Sequence, residues 1–205
     1  DINQDKHCLV NSNPIYTNVN SLTLNNIEEC LSLFDQLKHY VILSKIKHLS
    51  ILDSNALNGE LLLKILTHSL NNESLDLGNY DDLIQLTFNY TYVPLCTYLN
   101  KKIKNFTCQG YLERNTIEQF CLLFSNVEHL HIDIKDLCDI YYMLPFVLKI
   151  MKNLQSLHIY SGDIARDTHK TKYNNNEITI WLNQFDDLQN FYAEYDWESL
   201  FIWIR

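Results

Sequence analysis

Two histidines and an aspartate at alternate positions are the residues best suited to chemistry: His129, His131 and Asp133. Alternate residues of a β-strand point to the same side, so a strand here would present all three side chains together. Two imidazoles and a carboxylate can coordinate zinc. A metal-dependent hydrolase that uses this face is therefore one hypothesis for the chain.

A simpler interpretation of these three residues does not require a metal. The string matches only the start of the zinc-hydrolase pattern H-x-H-x-D-H, because Ile134 stands where the last histidine would be. The four glycines lie far apart, which excludes the glycine-rich phosphate loops and nucleophile turns that need paired glycines. We expect neither a metal nor a cofactor, and exposed His and Asp side chains on a binding face explain the pattern better.

The six cysteines contain no C-x-x-C pair, and most have apolar neighbours. This usage is typical of buried thiols in a reducing compartment, so we expect a cytoplasmic protein. A Cys-dependent hydrolase stays open as a second form of the enzymatic alternative, because the members of such a site need not be close in sequence. No nucleophile stands out, and we predict that the chain is not an enzyme.

Composition restricts the partners. The chain has 205 residues, 46% of them hydrophobic, and a formal net charge of −9. A negative surface repels phosphate backbones, which disfavours nucleic acid as a partner. No apolar run approaches the roughly 18 residues that would span a bilayer, so we expect no membrane partner. We expect protein partners rather than a small-molecule ligand.

The elements that position these residues follow a repeat. The six-residue pattern apolar-x-x-apolar-x-apolar recurs along the chain. The copies predict parallel strands centred near 22, 49, 75, 106, 130 and 157, with a seventh copy near Phe191. Leu83-x-x-Leu86-x-Phe88 also fits but lies too close to Leu75, and the more even spacing favours Leu75 as the third strand.

Between the strands the apolar period changes to that of helices. Stripes of this kind begin near Ile27, Leu61, Ile117, Leu137 and Ile178. A capping box at Thr116-x-x-Gln119 opens the third. Alternating strands and helices predict an α/β fold with a parallel sheet on one face and helices on the other. We expect residues 1–18 to flank a single irregular repeat domain that covers residues 19–205.

The recurring L-x-x-L-x-L followed by a helix resembles a leucine-rich repeat. The phrases Phe124-Ser-Asn-Val-Glu-His-Leu and Met151-Lys-Asn-Leu-Gln-Ser-Leu resemble the divergent repeat region of F-box proteins. The resemblance implies a leucine-rich-repeat-like solenoid. It also implies a non-enzymatic protein-interaction module, the substrate-recognition region of a ubiquitin-ligase adaptor. The F-box itself would be a short helical module upstream of these repeats.

The strand register predicts where a partner would bind. If the repeat leucines point inward, the residues between them line an open strand face. A polar face of this kind is either simply the solvated side of a one-sided sheet or, as is usual in such folds, the binding surface. We predict a partner-binding patch on that face, formed by His129, His131, Asp133, His158 and Tyr160. The alternating aromatic segment that ends the chain predicts a capping strand or hairpin, and its Phe201 and Trp203 offer a competing docking edge.

Overall fold

The structure, a computed structural model, describes residues 16–25, 27, 32–52, 57–135, 138–161, 180–185, 191–196 and 199–204. In this part of the chain eight strands form one sheet in the order β1-β2-β3-β4-β5-β6-β8-β7. The strands are β1 (Ser21–Leu24), β2 (His48–Ile51), β3 (Ser74–Leu77), β4 (Asn105–Tyr111), β5 (His129–Ile134), β6 (Ser156–Ser161), β7 (Phe191–Asp196) and β8 (Ser199–Ile204).

Strands β1 to β6 are parallel, each paired with the next in chain order. Their second residues are in register across the sheet, and the repeat had predicted all of them: Leu22, Leu49, Leu75, Phe106, Leu130 and Leu157. Each of these side chains is buried. The predicted α/β class, the parallel pairing and the inward register are confirmed.

Helices connect these strands. They are α1 (Leu33–Tyr40), α2 (Gly59–His68), α3 (Tyr80–Leu86), α4 (Val93–Lys102), α5 (Ile117–Leu123) and α6 (Cys138–Ile150). Their apolar faces share one core with the buried face of the sheet. Helices α2 and α3 begin at asparagine caps, because the side chains of Asn58 and Asn79 accept hydrogen bonds from backbone amides of the first turn. None of the described helices is long and apolar enough to cross a membrane.

The segment between β3 and β4 carries two helices instead of one. Leu86, the competing candidate for the third strand, is the last residue of α3, and Leu75 is the strand residue. The local pattern misleads because apolar residues three apart fit a helix face as well as the repeat. Phe88, which completed the strand-like match, is exposed.

The C-terminal hairpin changes the end of the sheet. Strand β8 pairs antiparallel with β6, and β7 pairs antiparallel with β8 at the outer edge. The predicted capping hairpin is therefore present, but the seventh repeat copy near Phe191 does not form the next parallel strand. Leu200 and Ile202 of β8 are buried, and they extend the apolar layer past β6.

The structure differs from two local predictions about where helices begin. The capping box at α5 is wrong, since Thr116 makes no side-chain bond to the first turn and its hydroxyl donates to the Glu113 carbonyl. The first helical stripe began at Ile27, but the described helix begins only at Leu33. Residues 26 and 28–31 between them lie outside the described residues, as do residues 1–15 of the predicted flanking segment.

A chain of asparagine side chains links the end of α4 to the turns that precede β5 and β6. The Asn126 amide donates to Oδ1 of Asn100 at 3.0 Å, and the Asn153 amide donates to Oδ1 of Asn126 at 3.2 Å. Asn100 Nδ2 in turn donates to the Leu122 and Leu123 carbonyls at the end of α5. These bonds hold successive turns at matching heights and so help to fix the strand register.

Candidate functional site

The side chains that alternate with the buried strand residues form one surface, which we call the open strand face. Its central row runs across the whole sheet and consists of Thr23, Ser50, Asp76, Thr107, His131, His158, Phe201 and Glu194. A second row lies nearer the start of the parallel strands and consists of Ser21, His48, Ser74, Asn105, His129, Ser156, Trp203 and Tyr192. Histidine and aromatic side chains concentrate at the β5–β7 end.

All five predicted patch residues lie on this face. His131 pairs with His158 across β5 and β6, and Asp133 pairs with Tyr160. His129 is exposed and its Nδ1 lies 2.8 Å from Ser156 Oγ. The structure therefore places the five side chains together on adjacent strands.

Strand β4 carries the irregularity that positions Asp133. The pairing of β4 with β5 shifts between Cys108 and Tyr111, and Gly110 at the shift has a φ of 84°. Glycine adopts this left-handed conformation without steric cost. Its backbone amide donates to Oδ2 of Asp133 at 3.2 Å, while Oδ1 lies 3.9 Å from Nε2 of His131. The bulge thus fixes the carboxylate beside the imidazole.

Partial burial dominates the ionisation of this pair. It lowers the pKa of His131, although the carboxylates of Asp133 and Asp76 oppose that shift. It raises the pKa of Asp133, against the Gly110 amide and the charge of His131. Both shifts favour the neutral forms, so the pair is a weak ion pair rather than a strong one.

The rings of this face stack across strands. The His131 and His158 rings have centroids 4.0 Å apart, and the His158 ring stacks on Phe201 at 3.9 Å with 14° between the planes. Phe201 is nearly parallel to Trp203, and Trp203 lies 5.3 Å from Tyr192. The predicted histidine patch and the competing aromatic edge are therefore one continuous surface.

An open depression of about 520 Å³ lies at the hairpin end of this surface. Its lining consists of His129, Gln155, Ser156, Tyr192, Trp203 and Ile204. Tyr192 and Trp203 are 60% and 40% exposed. The depression thus combines two large, accessible rings with hydrogen-bonding side chains from β5, β6 and the residue before β6.

Two features of this surface were not predicted from the sequence: the contact of the hairpin aromatics with the histidines, and the position of Asp76. Asp76 Oδ2 accepts from Ser50 Oγ at 3.0 Å, and its buried Oδ1 has no hydrogen-bond partner among the described residues. The alternation of Phe201 and Trp203 indicated a shared face. Their contact with the histidines depends on β8 lying beside β6, which no local pattern specifies.

The described residues that bear on the metal and thiol hypotheses are the acidic and histidine side chains and three cysteines. No three His, Cys, Asp or Glu side chains within the described ranges are placed to hold a metal ion. Cys96, Cys108 and Cys121 are free thiols, and burial raises the pKa of each, to about 12 at Cys121. Cysteine nucleophiles need a lowered pKa. Cys8, Cys30 and the Cys138 side chain lie outside the described residues.

Comparisons with known proteins give no relative: no family model, curated protein or solved structure matches this chain. The fold and the side-chain chemistry are therefore the basis for assigning a function.

Proposed function

We propose that this chain is a non-enzymatic protein-interaction module that binds its partner on the open strand face. The observation that carries the proposal is the continuous row of ring contacts from His131 through His158 and Phe201 to Trp203, partly exposed on one side of a sheet whose other side packs against the apolar core. Aromatic side chains bury large areas at low entropic cost, which makes them frequent anchors of protein interfaces.

The proposal retains the leucine-rich-repeat-like interpretation of the fold. Six parallel strands in chain order with intervening helices are the arrangement that such repeats produce, and their open strand face is a common binding surface. The resemblance to F-box proteins extends the proposal to substrate recognition in a cytoplasmic ubiquitin-ligase adaptor. The encoded sequence upstream of Asp1 tests that extension, which an F-box there would support and its absence would oppose.

A blocking substitution tests the binding surface. Thr107 lies in the central row between Asp76 and His131 and is partly exposed. We expect Thr107→Arg to reduce partner capture at least tenfold, because a long charged side chain would cover the middle of the face. The matched control is Gln119→Arg, which makes the same change at an exposed position of α5.

Photo-crosslinking provides the measurement. A photoreactive residue at position 129 should label a partner that one at position 142 on α6 does not, and mass spectrometry identifies the labelled protein. Loss of labelling with Thr107→Arg but not with Gln119→Arg supports the proposal. If labelling occurs from position 142 and survives Thr107→Arg, the partner binds the helical side and the proposal is wrong.

A further inference from the structure

The open strand face has an unusual distribution of charge. Among the described residues of its two rows there is no lysine or arginine, whereas Asp76 and Glu194 lie in the central row and Asp133 follows on β5. The whole chain carries a net charge of −9. The face is therefore complementary to a positively charged partner.

Three described lysines flank these strands: Lys47 before β2, Lys104 before β4 and Lys135 after β5. Glu73 lies between the first two, directly before β3. Lys104 precedes β4, and its Nζ lies 2.9 Å from Glu128 Oε1. Glu128 also accepts from the Gln155 amide at 3.4 Å. This paired lysine adds no net positive charge to the rim of the face.

The aromatic pair at the hairpin is suited to a cation. Tyr192 on β7 and Trp203 on β8 are cross-strand partners whose ring centroids lie 5.3 Å apart with 38° between the planes. Glu194, also exposed, lies two residues beyond Tyr192 on the same side of β7. The face of an indole or phenol ring attracts ammonium and guanidinium groups, and a nearby carboxylate strengthens that attraction.

The depression beside this pair has room for one long side chain. Its volume is about 520 Å³, and among the residues that the structure describes no Lys or Arg side chain lines it. Gln155 and Ser156 in its lining can accept hydrogen bonds from a guanidinium or ammonium group. Arginine uses such a site best, because its planar head stacks on rings while its edge donates hydrogen bonds.

We infer that the partner segment bound by the open strand face is basic, and that one of its arginine side chains occupies the depression over Tyr192 and Trp203. This inference rests on the proposed function and adds the chemistry of the partner to it. The charge of the face, the exposed aromatic pair and the depression all favour the same occupant.

The test uses a defined probe, a fluorescein-labelled peptide of four Gly-Ser-Arg repeats. The control probe replaces every arginine with citrulline, which keeps the shape of the side chain and removes its charge. Fluorescence anisotropy at 50 mM salt should show at least tenfold tighter binding of the arginine peptide. Binding should weaken as the salt concentration rises to 300 mM, because salt screens exposed charges.

Variants locate the subsite. We expect Tyr192→Ala and Trp203→Ala each to weaken peptide binding by about two- to fivefold, the range of an exposed cation–π contact. Glu194→Gln should weaken it by up to about fivefold. The matched controls are Tyr142→Ala on α6 and Glu118→Gln on α5, which remove an exposed tyrosine and an exposed carboxylate from the helical side and should change nothing. Circular dichroism confirms that each variant is folded.

The outcomes separate this inference from the proposed function. Equal binding of the arginine and citrulline peptides, or no binding of either, overturns the inference. The proposed function would still stand if Thr107→Arg abolished partner labelling from position 129. Binding that Tyr142→Ala reduces as much as Tyr192→Ala would place the cation elsewhere. Tight binding of a neutral oligosaccharide such as maltotriose, lost with Trp203→Ala, would show that the rings form a sugar platform and would also overturn the inference.

Discussion

At the scale of single residues, His131 and Asp133 show how partial burial sets ionisation on this face. The pKa of His131 is lowered and that of Asp133 is raised, although each group favours the charged form of the other. Desolvation exceeds their attraction because Nε2 and Oδ1 are 3.9 Å apart and no short bond joins them. A longer separation of opposite charges stabilises each less.

The lowered pKa of His131 makes folding stability depend on pH. As pH falls through 6.5, the unfolded chain binds a proton at this ring that the folded chain resists, so acid favours unfolding. Asp133 has the opposite sign: its pKa is raised above 3.8, so the folded chain binds this proton at a higher pH than the unfolded chain does, and through this group acid favours folding. The groups that face His131 are Asp76, Asp133 and His158.

We therefore expect the wild-type protein to lose more stability between pH 7.5 and pH 5 than His131→Gln does. Urea unfolding at several pH values measures the difference. His129→Gln, which removes an exposed ring from the same strand, is the control and should keep the wild-type slope more closely. Identical slopes for the wild type and His131→Gln would contradict the assignment.

At the scale of elements, the turns before the strands depend on paired amides. Asn126 both donates to Asn100 and accepts from Asn153, so it joins the end of α4 to the turns before β5 and β6. We expect Asn126→Ala to lower the free energy of unfolding by about 1–3 kcal/mol, since two hydrogen bonds are lost and their partners are left unpaired. Chemical denaturation gives this value directly.

Asn153→Ala is the matched control at the exposed end of the same chain of amides. It removes one 3.2 Å bond, so we expect a loss of about 0.5–1 kcal/mol. The double variant should cost less than the sum of the two single changes, because both remove the same Asn153–Asn126 bond. Equal effects of the two single variants would show that Asn126 has no linking role.

The sequence predicts the parallel part of the fold well because each repeat is local. The apolar spacing around Leu22, Leu49, Leu130 and Leu157 specifies a strand whose inward face repeats in register. The apolar spacing does not predict the structure of the segment from Leu83 to Phe88, because apolar residues three apart fit a helix and a repeat strand equally well. Only the packing of α3 and α4 against the sheet distinguishes the two.

The candidate site is less predictable from sequence than the fold. The positions of His129, His131 and Asp133 follow from alternation within one strand, and that of His158 follows from the repeat spacing. The stack of His158 on Phe201 requires β8 to insert between β6 and β7. Antiparallel strands allow either strand of a hairpin to lie innermost, and buried Leu200 and Ile202 favour β8 here.

At the scale of the whole molecule, the hairpin protects one end of the sheet. Strand β6 would otherwise expose an unpaired edge beside the buried side chains of Leu157 and Ile159, and such edges pair with other chains. Strand β8 covers that edge through pairs such as Leu157 with Ile202. The same hairpin supplies Tyr192, Phe201 and Trp203 to the open strand face, so the cap and the proposed binding surface are one element.

We expect Ile202→Asp to detach the hairpin, because Ile202 has no exposed surface and a buried unpaired carboxylate is costly. The freed edge of β6 should then cause self-association, seen as a larger mass in light scattering after size-exclusion chromatography, together with a lower melting temperature. Trp203→Asp is the matched control, since it adds the same charge one residue away at a side chain that is 40% exposed. It should keep the wild-type mass and melt close to the wild-type temperature.

If Ile202→Asp keeps the wild-type mass and melting temperature, β8 is not needed to protect the sheet. If both variants self-associate equally, the added charge rather than the loss of the cap is responsible.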